Sequence, residues 1–172
     1  MKQFFVLIIL SLWTLAAFGQ SLEGGWEGSL SEVEMDGDDM LTLDTDYTFT
    51  FTGNTFSLRM GTTVDLGMTD VPPFLILATV EGEWIRSGDV LTMVPYKHPK
   101  PRLELKADGV PGVVRVFMAG KIKRGLAREL QETQRYEIQI LTDTALLLKE
   151  IPSEKDLRDP DFEPESLSLT RK

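Results

Sequence analysis

The side chains able to do chemistry are few, and none has a catalytic spacing. The chain has one histidine, His98, and no cysteine, which excludes thiol catalysis and disulfides together. His98 lies in a proline-rich segment, 95–102, with no second metal ligand nearby in sequence. The sequence contains neither a nucleophile elbow nor a phosphate-binding glycine loop. It therefore favours a protein that is not an enzyme and that uses no metal or cofactor.

Carboxylates are abundant, and two kinds of site could use them. Several crowd around a turn at Gly37, namely Glu34, Asp36, Asp38, Asp39, Asp44 and Asp46. Calcium binds carboxylate oxygens, but the glycine and distal glutamate of an EF-hand loop are missing here. We interpret the cluster as a solvated turn. A pair of acids that converge in space for glycoside hydrolysis remains an alternative, although nothing marks out two of them.

A run of aromatic residues gives the clearest structural signal. Tyr47, Phe49 and Phe51 alternate with threonines, and Gly53-Asn54 follows as a two-residue type II′ turn. Such a turn pairs the large residues across two strands as Phe51 with Phe56, Phe49 with Leu58, and Tyr47 with Met60. The pattern predicts a hairpin with six large side chains on one face.

Other segments alternate in the same way and predict further strands. Trp26, flanked by glycines, opens the first strand and is large enough to plug one end of a barrel. A two- or four-residue loop at 87–89 places Trp84, Leu91 and Met93 on one face. A three-residue loop at 142–144 sets Ile140 opposite Leu146 and Ile138 opposite Leu148, and 166–171 forms a closing strand. The total is eight to ten strands.

One segment, 110–134, departs from this alternation. Apolar residues recur every four positions at Val114, Met118, Ile122, Leu126 and Leu130, which predicts one amphipathic helix that covers the sheet. Gly120 and Gly125 weaken that prediction, because glycine disfavours a helix interior. A strand over 113–118 stays open as the alternative.

The first residues predict export. Lys2 precedes an apolar run over 4–18, and Ala17 and Gly19 are small residues suited to a cleavage site before Gln20. We expect a signal peptide at 1–19, one domain at 20–172, and a periplasmic or extracellular location. A membrane anchor is disfavoured, because an apolar run of about fifteen residues is shorter than the roughly twenty that cross a bilayer.

The charge of the chain limits its partners. The formal net charge is −9, and removal of Lys2 with the leader leaves 17 − 27 = −10. A chain this acidic disfavours nucleic acid and anionic membranes as partners. The 95–102 segment is an exception, since Lys97, Lys100 and Arg102 make it basic. We expect it at the barrel rim, where it could meet an anionic ligand or a partner protein.

Taken together, these motifs resemble the lipocalin-like domains of bacterial exported proteins. The motifs are Gly24-x-Trp26, the hairpin from Gly82 to Leu91, Tyr136-x-Ile138 with Leu146 to Leu148, and Leu167-x-Leu169-x-Arg171. The resemblance implies an all-β fold, an antiparallel up-and-down barrel whose interior holds a small apolar molecule. It also implies that Arg171 packs on Trp26.

The expected function is the binding of a small hydrophobic ligand inside the barrel. The inward set that would line the ligand site is Tyr47, Phe49, Phe51, Phe56, Leu58, Trp84 and Met93. The same residues could instead fill the barrel, because an eight-stranded barrel holds either one small ligand or its own side chains. In that alternative the protein is a structural or protein-interaction module of the cell envelope.

Overall fold

The structure, a computed structural model, describes residues 21–36, 39–68, 70–98, 100–106, 108–109, 126–128, 130–158 and 162–172. These residues form nine strands, all paired antiparallel. The strands are β1 (Gly24–Asp36), β2 (Asp39–Thr52), β3 (Thr55–Asp65), β4 (Phe74–Ser87), β5 (Val90–Pro95), β6 (Arg102–Lys106), β7 (Gln134–Leu141), β8 (Ala145–Glu150) and β9 (Ser166–Arg171). A short 3₁₀ helix spans Asp156–Arg158.

The strands close into an up-and-down barrel with eight walls. Successive strands pair from β1 to β5 and again from β7 to β9. Strand β5 pairs with β7, and β9 pairs with β1, which closes the barrel. The ninth strand does not add a wall, because β5 and β6 pair with different parts of the same edge of β4. The fold is thus the all-β barrel that the sequence predicts, and β6 is a strand that the sequence reading did not identify.

The aromatic hairpin has the predicted register. Tyr47 lies opposite Met60, Phe49 opposite Leu58, and Phe51 opposite Phe56. Gly53 has φ of 57°, whereas Asn54, like every described non-glycine residue, does not have a positive φ. A type II′ turn requires a positive φ at its first central residue only. Strand β3 continues beyond Met60 to Asp65.

The next hairpin confirms the two-residue loop. Ser87 pairs with Val90 and Trp84 with Met93 across a turn at Gly88-Asp89. Leu91 and Met93 are fully buried, and Trp84 is half-buried against the same core.

The third hairpin is only partly as predicted. Ile138 pairs with Leu148, but a bulge follows, so Ile140 lies opposite Leu147 and Leu141 lies opposite Leu146. The prediction that Ile140 faces Leu146 is wrong. A bulge adds one residue to one strand and reverses the side-chain alternation beyond it, which leaves Ile140 48% exposed and buries Leu141.

The end of the barrel that holds the turns at 53–54, 88–89 and 142–144, here named the closed end, is plugged by Trp26. Its side chain is 0% exposed, and its indole nitrogen donates a hydrogen bond to the Leu22 carbonyl at 2.8 Å. The Arg171 guanidinium carbon lies 5.0 Å from the centroid of the indole, within the range of a cation–π contact. The packing of Arg171 on Trp26 is therefore present as expected.

Two glycines permit close contacts between strands. A Cβ at Gly28 would lie 2.4 Å from the Ser168 carbonyl oxygen, and one at Gly82 would lie 2.3 Å from the Val94 carbonyl oxygen. Both partners are backbone atoms held in the sheet, so any larger residue would push the strands apart.

The 110–134 segment is described only in part. Residues 126–128 are helical, and Leu130 N–H donates a hydrogen bond to the Leu126 carbonyl at 2.9 Å. Leu130 is buried in the barrel core, and Leu126 packs against it and against a smaller cluster of Val64, Phe74 and Ile76. Residues 110–125 lie outside the described part of the chain.

Candidate functional site

A cavity of about 470 Å³ lies at the end of the barrel opposite Trp26, here named the open end. Its apolar wall comes from inward positions of β2 and β3 and from the segment before β7, namely Tyr47, Phe49, Leu58, Met60, Leu126 and Leu130. The rest of the lining comes from β7 to β9 and the segments beside them, namely Glu132, Thr133, Gln134, Arg135, Tyr136, Glu150, Ile151, Ser153, Lys155, Asp156, Phe162, Glu163, Glu165 and Leu167. The volume falls within the range of about 300–1,000 Å³ typical of small-molecule sites.

The aromatic side chains of β2 form a ladder that runs from the cavity into the core. Successive rings of Tyr47, Phe49 and Phe51 stack with centroids 6.4 and 5.9 Å apart. Phe51 then meets Trp84 edge to face at 5.5 Å. The ladder exists because inward positions recur every second residue along a strand.

The seven residues predicted to contact a ligand divide between cavity and core. Tyr47, Phe49 and Leu58 line the cavity. The other four, Phe51, Phe56, Trp84 and Met93, do not line it and pack in the core nearer to the closed end. The structure therefore brings three of the predicted residues to one open space.

The rim of the cavity carries carboxylates that influence one another. The pKa of Glu165 is raised to about 6, mainly by burial and also by the carboxylates of Glu32 and Glu150. Burial is also the main cause of the raised pKa of Glu150. The phenols of Tyr47 and Tyr136 have raised pKa values, first from burial and then from these carboxylates. Both phenols are therefore neutral at physiological pH.

Hydrogen bonds hold several of these rim groups in place. The Tyr136 hydroxyl donates to Gln134 Oε1 at 3.2 Å. The backbone N–H of Glu165 donates to Glu150 Oε2 at 3.3 Å, and Glu150 N–H donates to the Glu165 carbonyl at 2.8 Å. These two bonds fix the start of β9 beside the end of β8.

Most of the cavity residues were not identified from the sequence, although a signal was present for several of them. Glu150 follows Leu146 and Leu148 at the next inward position of β8, and Met60 and Tyr136 lie on faces that the alternation already marked as inward. Leu126 and Leu130 belong to the predicted helical stripe. The alternation along strands and the helical spacing therefore indicated that these residues face inward. Neither pattern shows where the barrel interior is open.

The described residues of the basic segment do not line this cavity, and the side chains of residues 34–40 in the acidic turn are not described. Lys97 and the exposed His98 do not line it, and Lys100 and Arg102 line a separate groove on the outer wall. Within the described part of the chain, no group of three or more His, Cys, Asp or Glu residues could hold a metal ion. Gly37 and Asp38 of the acidic turn lie outside the described residues.

No protein-family model matches the chain, and no curated protein is significantly similar to it. In the described residues, no helix is long and apolar enough to span a bilayer.

Proposed function

We propose that this protein is an exported, non-catalytic lipocalin-like barrel that binds one small hydrophobic molecule in the open-end cavity. The observation that carries the proposal is the cavity of about 470 Å³ between the β2–β3 wall and the segments that cover the open end. Export rests on the leader pattern at 1–19.

The arrangement of the walls favours a ligand with a polar end. Stacked rings and aliphatic side chains form one side, whereas charged residues gather at the rim. Five acids line the cavity, namely Glu132, Glu150, Asp156, Glu163 and Glu165, against two bases, Arg135 and Lys155. The local charge is therefore 2 − 5 = −3, which favours a neutral or cationic polar group and disfavours a carboxylate.

A role for the rim acids in hydrolysis has weaker support. Glu150 accepts a hydrogen bond from the backbone of Glu165, so its carboxylate already serves to join two strands. We infer that Glu150 and Glu165 shape the entrance of the cavity.

The test uses N-phenyl-1-naphthylamine, a neutral apolar fluorophore that brightens in apolar surroundings. We expect saturable fluorescence with one site per chain. Met60→Trp should abolish binding, because the larger side chain occupies the cavity that Met60 lines. The matched control is Ile85→Trp, at a position 63% exposed on the outer face, which should bind like the parent protein.

Native mass spectrometry of protein purified from its own host complements the dye. A retained small molecule that is lost in Met60→Trp supports the proposal. Absence of dye binding together with a bare chain mass contradicts it and favours the alternative, an envelope interaction module without a ligand.

A further inference from the structure

A second concave site lies on the outer wall of the barrel. It is a groove of about 210 Å³ between the outer faces of β3 and β4, Tyr96 and residues 100–102. Its polar lining consists of Ser57, Arg59, Thr79, Glu81, Tyr96, Lys100 and Arg102. At about 30 Å³ per water molecule, the groove has room for roughly seven waters, and so for an oxyanion with a small substituent.

The sheet register places two arginines on either side of the groove floor. Arg59 of β3 pairs with Thr79 of β4, and Thr79 pairs with Arg102 of β6. The three residues form a row across adjacent strands, all at outward positions. Because neighbouring strands lie about 4.8 Å apart, the arginine Cα atoms are separated by roughly 10 Å. Two guanidinium groups at that spacing can contact one anion from both sides.

The third cation comes from a wall that is fixed to the sheet. Tyr96 N–H donates a hydrogen bond to the Glu81 carbonyl at 2.9 Å, and Pro95 pairs with Gly82. Strand β6 anchors the other end of the segment at Arg102. Lys100 lines the groove two residues before Arg102, which is paired with Thr79 of β4.

The charge of the groove is opposite to that of the chain. Arg59, Lys100 and Arg102 against Glu81 give 3 − 1 = +2, in a chain of formal charge −9. Within the described residues, none of these three cations has a side-chain hydrogen bond or an ion pair. Guanidinium groups form short, paired hydrogen bonds with planar or tetrahedral oxyanions.

We propose that this outer groove binds a dianionic oxyanion, a phosphate or sulfate group, through Arg59, Lys100 and Arg102. The site is separate from the interior cavity and does not depend on the function proposed for that cavity. Binding here requires no change in the barrel, because the floor and the wall are already in place.

Isothermal titration of the full protein with inorganic phosphate and with sulfate at constant ionic strength tests the proposal. Arg59→Gln and Arg102→Gln should each weaken binding about tenfold or more. Lys97→Gln is the matched control, since Lys97 lies in the same segment but outside the groove, and it should bind like the parent. Glu81→Gln should tighten binding severalfold, because it removes the one carboxylate of the groove.

Two further outcomes decide the matter. Binding no tighter than that of chloride, or equal losses for Lys97→Gln and Arg59→Gln, would overturn the proposal in favour of diffuse surface attraction.

Sedimentation with vesicles of phosphatidylcholine and phosphatidic acid identifies the source of the oxyanion. Glycerol phosphate, the soluble counterpart of the lipid headgroup, is titrated in parallel. We expect it to bind while the protein does not sediment with the vesicles, which assigns a soluble ligand. Sedimentation that Arg59→Gln abolishes would instead assign a lipid headgroup to the same groove.

Discussion

The two ends of the barrel are built from the same strands but with different inward residues. At the closed end these are large and apolar, and Trp26, Phe51, Leu91 and Met93 are at most 1% exposed. Toward the open end, the inward positions of β2 and β3 become Thr45 and Thr62, whose hydroxyls lie 3.0 Å apart. Large side chains fill the closed end, whereas the open end holds a cavity lined by both apolar and charged residues.

This difference separates stability from binding. Tight packing of large side chains supplies most of the free energy of folding, and here it is concentrated around the indole plug. The open end can therefore carry partly exposed carboxylates and an empty volume without loss of the fold. The following substitutions test that division, from the largest expected effect to the smallest.

Trp26→Ala should reduce the free energy of unfolding by about 3–5 kcal/mol, because it leaves a large void and removes the partner of Arg171. The open-end counterpart, Met60→Ala, should cost about 1 kcal/mol or less, since Met60 is half-buried beside an existing cavity. Urea unfolding followed by circular dichroism measures both. Equal losses for the two variants would contradict the division between the ends.

Gly28→Ala should destabilise the protein by about 1–3 kcal/mol, because the added methyl group meets the Ser168 carbonyl where β1 closes on β9. Gly61→Ala is the control. A Cβ there meets only Leu77 and Leu75 side chains, at 3.5 and 3.9 Å, and should change stability by less than about 0.5 kcal/mol. Thermal unfolding compares the pair, and a tolerated Gly28→Ala would show that the β1–β9 seam is looser than described.

Glu165→Gln should stabilise the protein at pH 7 and leave it unchanged in acid. The folded-state pKa of Glu165 is about 6 against an ordinary value of 4.5, so ionisation opposes folding as the pH rises between these values. The gain should be about 1 kcal/mol above pH 6, reduced because the carboxylate is partly exposed, and should vanish below pH 4.5. Urea titrations across this range measure it, and an equal gain at pH 4 and pH 7 would exclude the cost of ionising Glu165 in its partly buried, acidic surroundings as the cause.

The sequence predicted the hairpins whose turn and alternation agree. Gly53-Asn54 fixed a register that the apolar pattern also required, and β9 has the predicted bounds of 166–171. The bulge between Ile138 and Ile140 could not be predicted from the sequence, because neither residue is unusual in a regular strand. Strand β6 was missed, since its pairing with β4 is long-range and prolines precede it, although Leu103 and Leu105 alternate with charged residues.

The candidate site was less predictable than the fold for a physical reason. The alternation along a strand gives the direction of each side chain, so Tyr47, Phe49 and Leu58 were identified as inward from the sequence. Whether an inward residue meets another side chain or open space depends on the residues opposite to it across the barrel. Phe51 and Met93 are inward too, yet they pack in the filled half.

The most direct test of this account is amide chemical-shift mapping by NMR during titration with N-phenyl-1-naphthylamine. The account predicts saturating shifts at open-end residues such as Leu58, Met60, Leu130 and Tyr136, with little change around Trp26 and Leu146. Shifts centred on Trp26, or shifts confined to outer-face residues, would show that the dye does not occupy the open-end cavity and would contradict the central claim.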